Sequence, residues 1–220
     1  MSHEAVLFDM DGVLVDSEDY WVEREREEIL PWAVPDHEVP VREITGMNYR
    51  EIHDYLAAEY DVAVSKQEWV DRFDETAETI YTDEVELLPG FRDWLTARRS
   101  AGIPVALVSS SPHHWLDTVC ERFELEFDAV VSAEDLDGPG KPEPDIYEFA
   151  AAKLGLAPED CVAVEDSEHG VASAAAARTT CVAYRSGADD SLDLSAADFV
   201  AETPEELLSL VDELLNVESP

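Results

Sequence analysis

Asp9 and Asp11 stand two positions apart in Phe8-Asp9-Met10-Asp11-Gly12, directly after the apolar run Ala5-Val6-Leu7-Phe8. That run reads as a buried strand, so both acids fall where the strand gives way to a loop, the end at which open parallel sheets bind ligands. In extended backbone they share a face, and two close carboxylates repel unless a cation or a proton lies between them. An acidic turn would satisfy these residues alone, but three further stretches follow strands at the same sheet end. Val108-Ser109-Ser110-Ser111 runs into hydroxyls and free amides at a helix start, a cradle suited to a phosphate. Lys141, one of only three lysines, is held between Gly140 and Pro142 in a stiffened loop. Glu165-Asp166-Ser167 follows Val162-Ala163-Val164 and opens another helix.

The elements that must carry these residues follow from periodicity. Helical spacing predicts helices over 17–30, stopped by Pro31, then over 48–60 and 65–81, with no strand among them. From Phe91 the pattern alternates. Helices at 91–101, 115–123, 146–154, 171–177 and 204–215 separate strands at 103–108, 127–131, 161–164 and 181–184. Alternation of this kind predicts an α/β fold, a doubly wound parallel sheet with helices on both faces. The expected layout is a core from 1–16 and 89–220, interrupted by an all-helical insertion at 17–88.

Charge narrows the partners. The chain carries 52 Asp and Glu against 14 Lys and Arg, a formal net charge of -38, which excludes simple electrostatic affinity for nucleic acid or an anionic membrane. The acids are spread along the whole chain, as on a solvated surface adapted to molar salt, where screening over ~3 Å removes most self-repulsion. No apolar run approaches the ~20 residues of a membrane span. Cys120, Cys161 and Cys181 are widely spaced in apolar surroundings and are expected as free thiols. The expectation is a soluble, cytoplasmic, halophilic protein; nothing in the sequence sets an oligomeric state, and a monomer is compatible with it.

Asp9, Asp11, Glu165 and Asp166 would converge with Lys141 as the one compensating cation, so the site calls for a hard divalent ion, and Mg²⁺ suits it. Such a site holds a phosphoryl group, with one carboxylate placed to attack it and a second to manage the leaving group's proton.

These residues resemble the four motifs of the haloacid dehalogenase superfamily: Asp9-Met10-Asp11-Gly12, Ser109, Lys141-Pro142 and Glu165-Asp166-Ser167. The resemblance runs from about Val6 to Tyr184. It implies a Rossmann-like core and a helical cap that closes over small substrates. It implies Asp9 as nucleophile, Asp11 as general acid/base, Ser109 and Lys141 as stabilisers, and Mg²⁺ held by Asp9, Asp166 and the Asp11 carbonyl with support from Glu165. Within the superfamily the chain is similar to the subgroup of beta-phosphoglucomutase and the sugar phosphate phosphatases. Trp21, where the mutase has a histidine, and the lack of the mutase lysine around Arg72 favour a phosphatase over a mutase. Ser109 to Pro112 and Ala176-Ala177-Arg178 likewise resemble phosphatases of deoxyglucose and hexitol phosphates, Arg178 replacing a glycine common in the subgroup. The expected substrate is a small phosphate monoester, contacted by Ser110 and by Trp21, Gly46, Asn48 and Arg50 of the insertion. A phosphoacceptor signalling module is disfavoured, since such modules are shorter and lack a helical insertion.

Overall fold

The computed structural model describes residues 3–44, 47–185 and 192–217. The chain divides into two compact units, Met1–Asp16 with Glu86–Pro220, and Ser17–Val85.

Among its described residues the smaller unit is helical, with α1 (Glu18–Arg24), α2 (Leu30–Ala33), α3 (Tyr49–Glu59) and α4 (Lys66–Thr79). The expected stop at Pro31 is corrected by a widened π turn over Glu25–Ile29, in which the Leu30 N–H bonds to the Glu25 carbonyl. Pro31 then enters the first turn of α2, where no N–H is required of it, and the helical path continues to Ala33. Before α4, the Ser65 hydroxyl accepts from the Glu68 N–H while the Glu68 carboxylate accepts from the Ser65 N–H. Such a reciprocal cap stabilises a helix start by about 1 kcal/mol. The unit's interior is an aromatic stack. Phe73 lies 4.9 Å from Trp69, 5.5 Å from Tyr49 and 5.4 Å from Trp21, ring centre to ring centre.

The larger unit is built on six parallel strands, β1 (Ala5–Phe8), β2 (Val105–Ser109), β3 (Ala129–Ser132), β4 (Cys161–Glu165), β5 (Thr180–Tyr184) and β6 (Phe199–Ala201). They lie in the order β3-β2-β1-β4-β5-β6. The connecting helices are α5 (Phe91–Ser100), α6 (His113–Phe123), α7 (Asp145–Leu154), α8 (Glu168–Ala176) and α9 (Pro204–Leu215). Every residue of β1, β2 and β4 is buried, which is why these strands read as unbroken apolar runs. Ala5, Leu7, Ala106 and Val108 pack with Tyr147, Ala150 and Val171 in the principal core cluster, while Phe8 meets Phe91 and Trp94. The strand β6 was not expected. It is three residues long at the sheet edge, and Phe199 and Val200 are each 41% exposed, so it shows neither a buried run nor a clean alternation. Because β1 pairs with β2 on one side and β4 on the other, the order reverses at β1. Ligands bind at such a switch point. Among the described residues no helix is long and apolar enough to cross a membrane, and the three cysteines are unpaired.

Candidate active site

Asp9 follows the last residue of β1, and its N–H donates to the Val164 carbonyl of β4 at 3.0 Å. The chain then coils tightly, the amides of Leu14 and Val15 both donating to the Met10 carbonyl. Gly12 makes this turn at φ 74°, a conformation that strains residues with a Cβ. Space also demands glycine, because a Cβ there would overlap the Asp166 carboxylate. The same demand recurs at Gly170, where a Cβ would overlap the Glu165 carboxylate. Both acids at the end of β4 are thus accommodated by glycines of neighbouring segments.

The result is a buried triad. One carboxylate oxygen from each of Asp9, Glu165 and Asp166 lies within 4.8 Å of the others. Lys141 Nζ is 2.6 Å from Asp9 Oδ1 and 2.5 Å from Glu165 Oε1. Glu165 is fully enclosed. Its Oε1 also accepts from the Tyr147 hydroxyl at 2.6 Å, and its Oε2 accepts from the Asp166 N–H at 3.2 Å and the Ser167 hydroxyl at 3.4 Å. Burial pushes the Asp9 carboxyl up to about 8; the Lys141 ammonium opposes this, and the Glu165 and Asp11 charges add to it. For Lys141, burial works against the charge, but Asp9 and Glu165 outweigh it and hold the ammonium above its ordinary value. Three buried carboxylates against one ammonium leave a deficit of positive charge among hard oxygen donors. That donor set fits Mg²⁺.

Asp11 lies beside this triad, half-buried, its Oδ2 accepting from the Ser111 hydroxyl at 2.9 Å. Ser109 is buried at the end of β2, its Oγ accepting from the Ser111 N–H at 3.1 Å, whereas Ser110 is exposed. The structure therefore brings together Asp9, Lys141, Glu165 and Asp166, with Asp11 and Ser109 reaching the same loops. The other expected residues belong to the smaller unit. Trp21 stacks on Phe73, and its Nε1 donates to the Tyr81 hydroxyl at 3.1 Å. Asn48 Oδ1 accepts from the Arg50 N–H and starts α3, and the Arg50 guanidinium lies 4.9 Å from the Tyr49 ring centre. Gly46 lies outside the described residues. Sequence reasoning missed Tyr147. The available signal was a polar-tipped aromatic on an apolar helix face six positions after Lys141.

A parallel sheet with carboxylates, a lysine and a buried hydroxyl at its switch point is suited to holding a phosphoryl group. The haloacid dehalogenase-like hydrolase family matches residues 3–178, and the chain belongs to that family; it is a phosphoric monoester hydrolase. It is 37% identical over 188 residues to hexitol phosphatase B of Escherichia coli (strain K12), covering 79% of this chain and 80% of that one. It is 32% identical over 216 residues to a phosphorylated carbohydrates phosphatase of Thermotoga maritima, covering 96% and 100%. The crystal structure of CbbY from Rhodobacter sphaeroides in complex with phosphate shares the fold, with a TM-score of 0.80, 24% identity and coverage of 93% and 96%.

Proposed function

We propose that this protein hydrolyses small sugar or sugar-alcohol phosphate monoesters, with Mg²⁺, through a phosphorylated Asp9. The convergence of Asp9, Glu165 and Asp166 within 4.8 Å of one another, with Lys141 bonded to Asp9 and Glu165, carries this reading. Asp9 and Asp166, with the Asp11 carbonyl, are the groups to hold the cation, and Glu165 supports them. A divalent cation held there would offset the charge of the carboxylates and of the phosphoryl oxygens.

Asp9 attacks the phosphorus, and Lys141 keeps its carboxylate oriented while carrying positive charge toward the incoming phosphoryl group. The Ser109 hydroxyl adds a donor there. Asp11 gives a proton to the departing oxygen, then takes one from the water that cleaves the aspartyl phosphate. Ser110 contributes its exposed side chain to the phosphate, and Trp21, Gly46, Asn48 and Arg50 select the substrate. The names of the two phosphatase relatives support a carbohydrate phosphate. Transfer to a sugar hydroxyl, as in a mutase, is the competing reading. It is disfavoured at Trp21, where an indole bonded to the Tyr81 hydroxyl offers no proton carrier in place of the mutase histidine. The dispersed charge of -38 supports a salt-rich cytoplasm as the working environment.

The test is phosphate release from a panel of hexose, hexitol and short-acid phosphates in molar potassium chloride, with Mg²⁺ and with a chelator. Metal-dependent release supports the proposal. Isomer conversion without release establishes the mutase instead.

A further inference from the structure

We propose that Ser111 is a positioning residue for Asp11, its hydroxyl holding the Asp11 carboxyl in the orientation that serves the leaving group. This rests on the acid/base role of Asp11 proposed above. Ser111 Oγ lies 2.9 Å from Asp11 Oδ2, a contact between residues 100 positions apart. The backbone of Ser111 is anchored at both ends. Its N–H donates to Ser109 Oγ at 3.1 Å, and its carbonyl accepts from the Ser132 hydroxyl at 2.7 Å. Ser132 is itself fully buried at the end of β3, so the Ser111 hydroxyl is presented from a frame tied to two strands.

Asp11 sits on the tight turn after β1 and is half-buried, and the bond from the Ser111 hydroxyl to Oδ2 is one of the contacts that hold its carboxyl in one rotamer. As the Asp9 oxygen bonds to phosphorus, the bond from phosphorus to the leaving oxygen breaks. Its electron pair stays on that oxygen, which takes a proton from the Asp11 carboxyl and departs as an alcohol. Asp11 is left as a carboxylate, the form to which the Ser111 hydroxyl donates most strongly.

The experiment compares kcat/KM of the full-length wild type, Ser111→Ala and Ser111→Thr on a hexitol phosphate and on p-nitrophenyl phosphate, with Mg²⁺. kcat/KM covers the steps through leaving-group departure. An alkoxide must be protonated as it leaves and a nitrophenolate needs little help, so S111A is expected to lose about 10–100-fold on the hexitol phosphate. Its loss on p-nitrophenyl phosphate is expected to be under about threefold, and S111T is expected to restore the hexitol rate. An equal loss on both substrates makes Ser111 a phosphate or loop anchor and overturns the proposal, as does no loss on either. If S111A does not fold, Ser111→Cys takes its place with the same expectations. A wild type that releases phosphate from neither substrate overturns the hydrolytic reading itself, and the role of Ser111 with it.

Discussion

Lys141 Nζ stands 2.6 Å from Asp9 Oδ1, and the same ammonium reaches Glu165, so a single cation bridges carboxylates at the ends of the paired strands β1 and β4. Removing one partner of a buried, hydrogen-bonded charge pair costs about 3–5 kcal/mol because the other charge is left uncompensated. Lys141→Ala is therefore expected to lower the melting temperature of the metal-free protein and to reduce kcat at least about 10³-fold. Lys141→Arg is expected not to restore the rate, since the planar guanidinium cannot place one point charge between two oxygens. Thermal melts and steady-state kinetics read both effects, and a K141A enzyme within tenfold of wild type would contradict the assigned role.

Arg178 has φ 66°, left-handed backbone that costs a residue with a Cβ roughly 1–2 kcal/mol. It follows α8, where its N–H donates to the Ala175 carbonyl, and its side chain is exposed, so little packing depends on it. Arg178→Gly is expected to stabilise the protein by about 0.5–1 kcal/mol, the relief of strain exceeding the entropy that glycine adds to the unfolded chain. Urea denaturation checks this; a lower midpoint would show that the arginine side chain contributes more than its exposure indicates.

Burial pushes the Glu25 carboxyl, on the π turn after α1, up to about 7 from its ordinary 4.5. The folded state therefore holds a proton that the unfolded chain has already released between these values. Stability falls as pH rises through that window and is constant above it. Glu25→Gln removes the penalty. It is expected to stabilise by about 1–2 kcal/mol at about pH 8, after allowance for partial exposure, and the gain should shrink toward zero near pH 5. Melts of both proteins across that range decide it, and a gain independent of pH would point to packing instead of charge.

A net charge of -38 on 220 residues makes self-repulsion a large opponent of folding at low ionic strength. Raising potassium chloride from about 0.1 M to above 1 M shortens the screening length from about 10 Å to about 3 Å. The melting temperature is expected to rise steadily across that interval. A flat or falling dependence would remove the case for adaptation to salt.

Asp9, Ser109 and Glu165 were legible because each closes a run apolar enough to read as a buried strand, and a parallel sheet must bring those ends together. Phe8-Asp9, Val108-Ser109 and Val164-Glu165 all follow this rule. Lys141, by contrast, lies in a loop and stood out by the scarcity of lysine. What escaped depends on tertiary partners. Tyr147 acts on Glu165 18 positions away and Ser111 on Asp11 100 positions away, and neither pairing leaves a local pattern. Pro31 misled for a local reason, since a widened turn removed the geometry in which proline breaks a helix. The exposed edge strand β6 lacked the burial that makes other strands visible.

The central claim is that Asp9 carries the phosphoryl group, and mass spectrometry of acid-quenched enzyme tests it most directly. Wild type mixed with a turned-over sugar phosphate and Mg²⁺ should yield one phosphoryl group on the peptide containing Asp9. Asp9→Asn, with an unchanged circular dichroism spectrum, should yield none and release no phosphate. A phosphoryl group on another residue, or sustained phosphate release by D9N, would contradict the account.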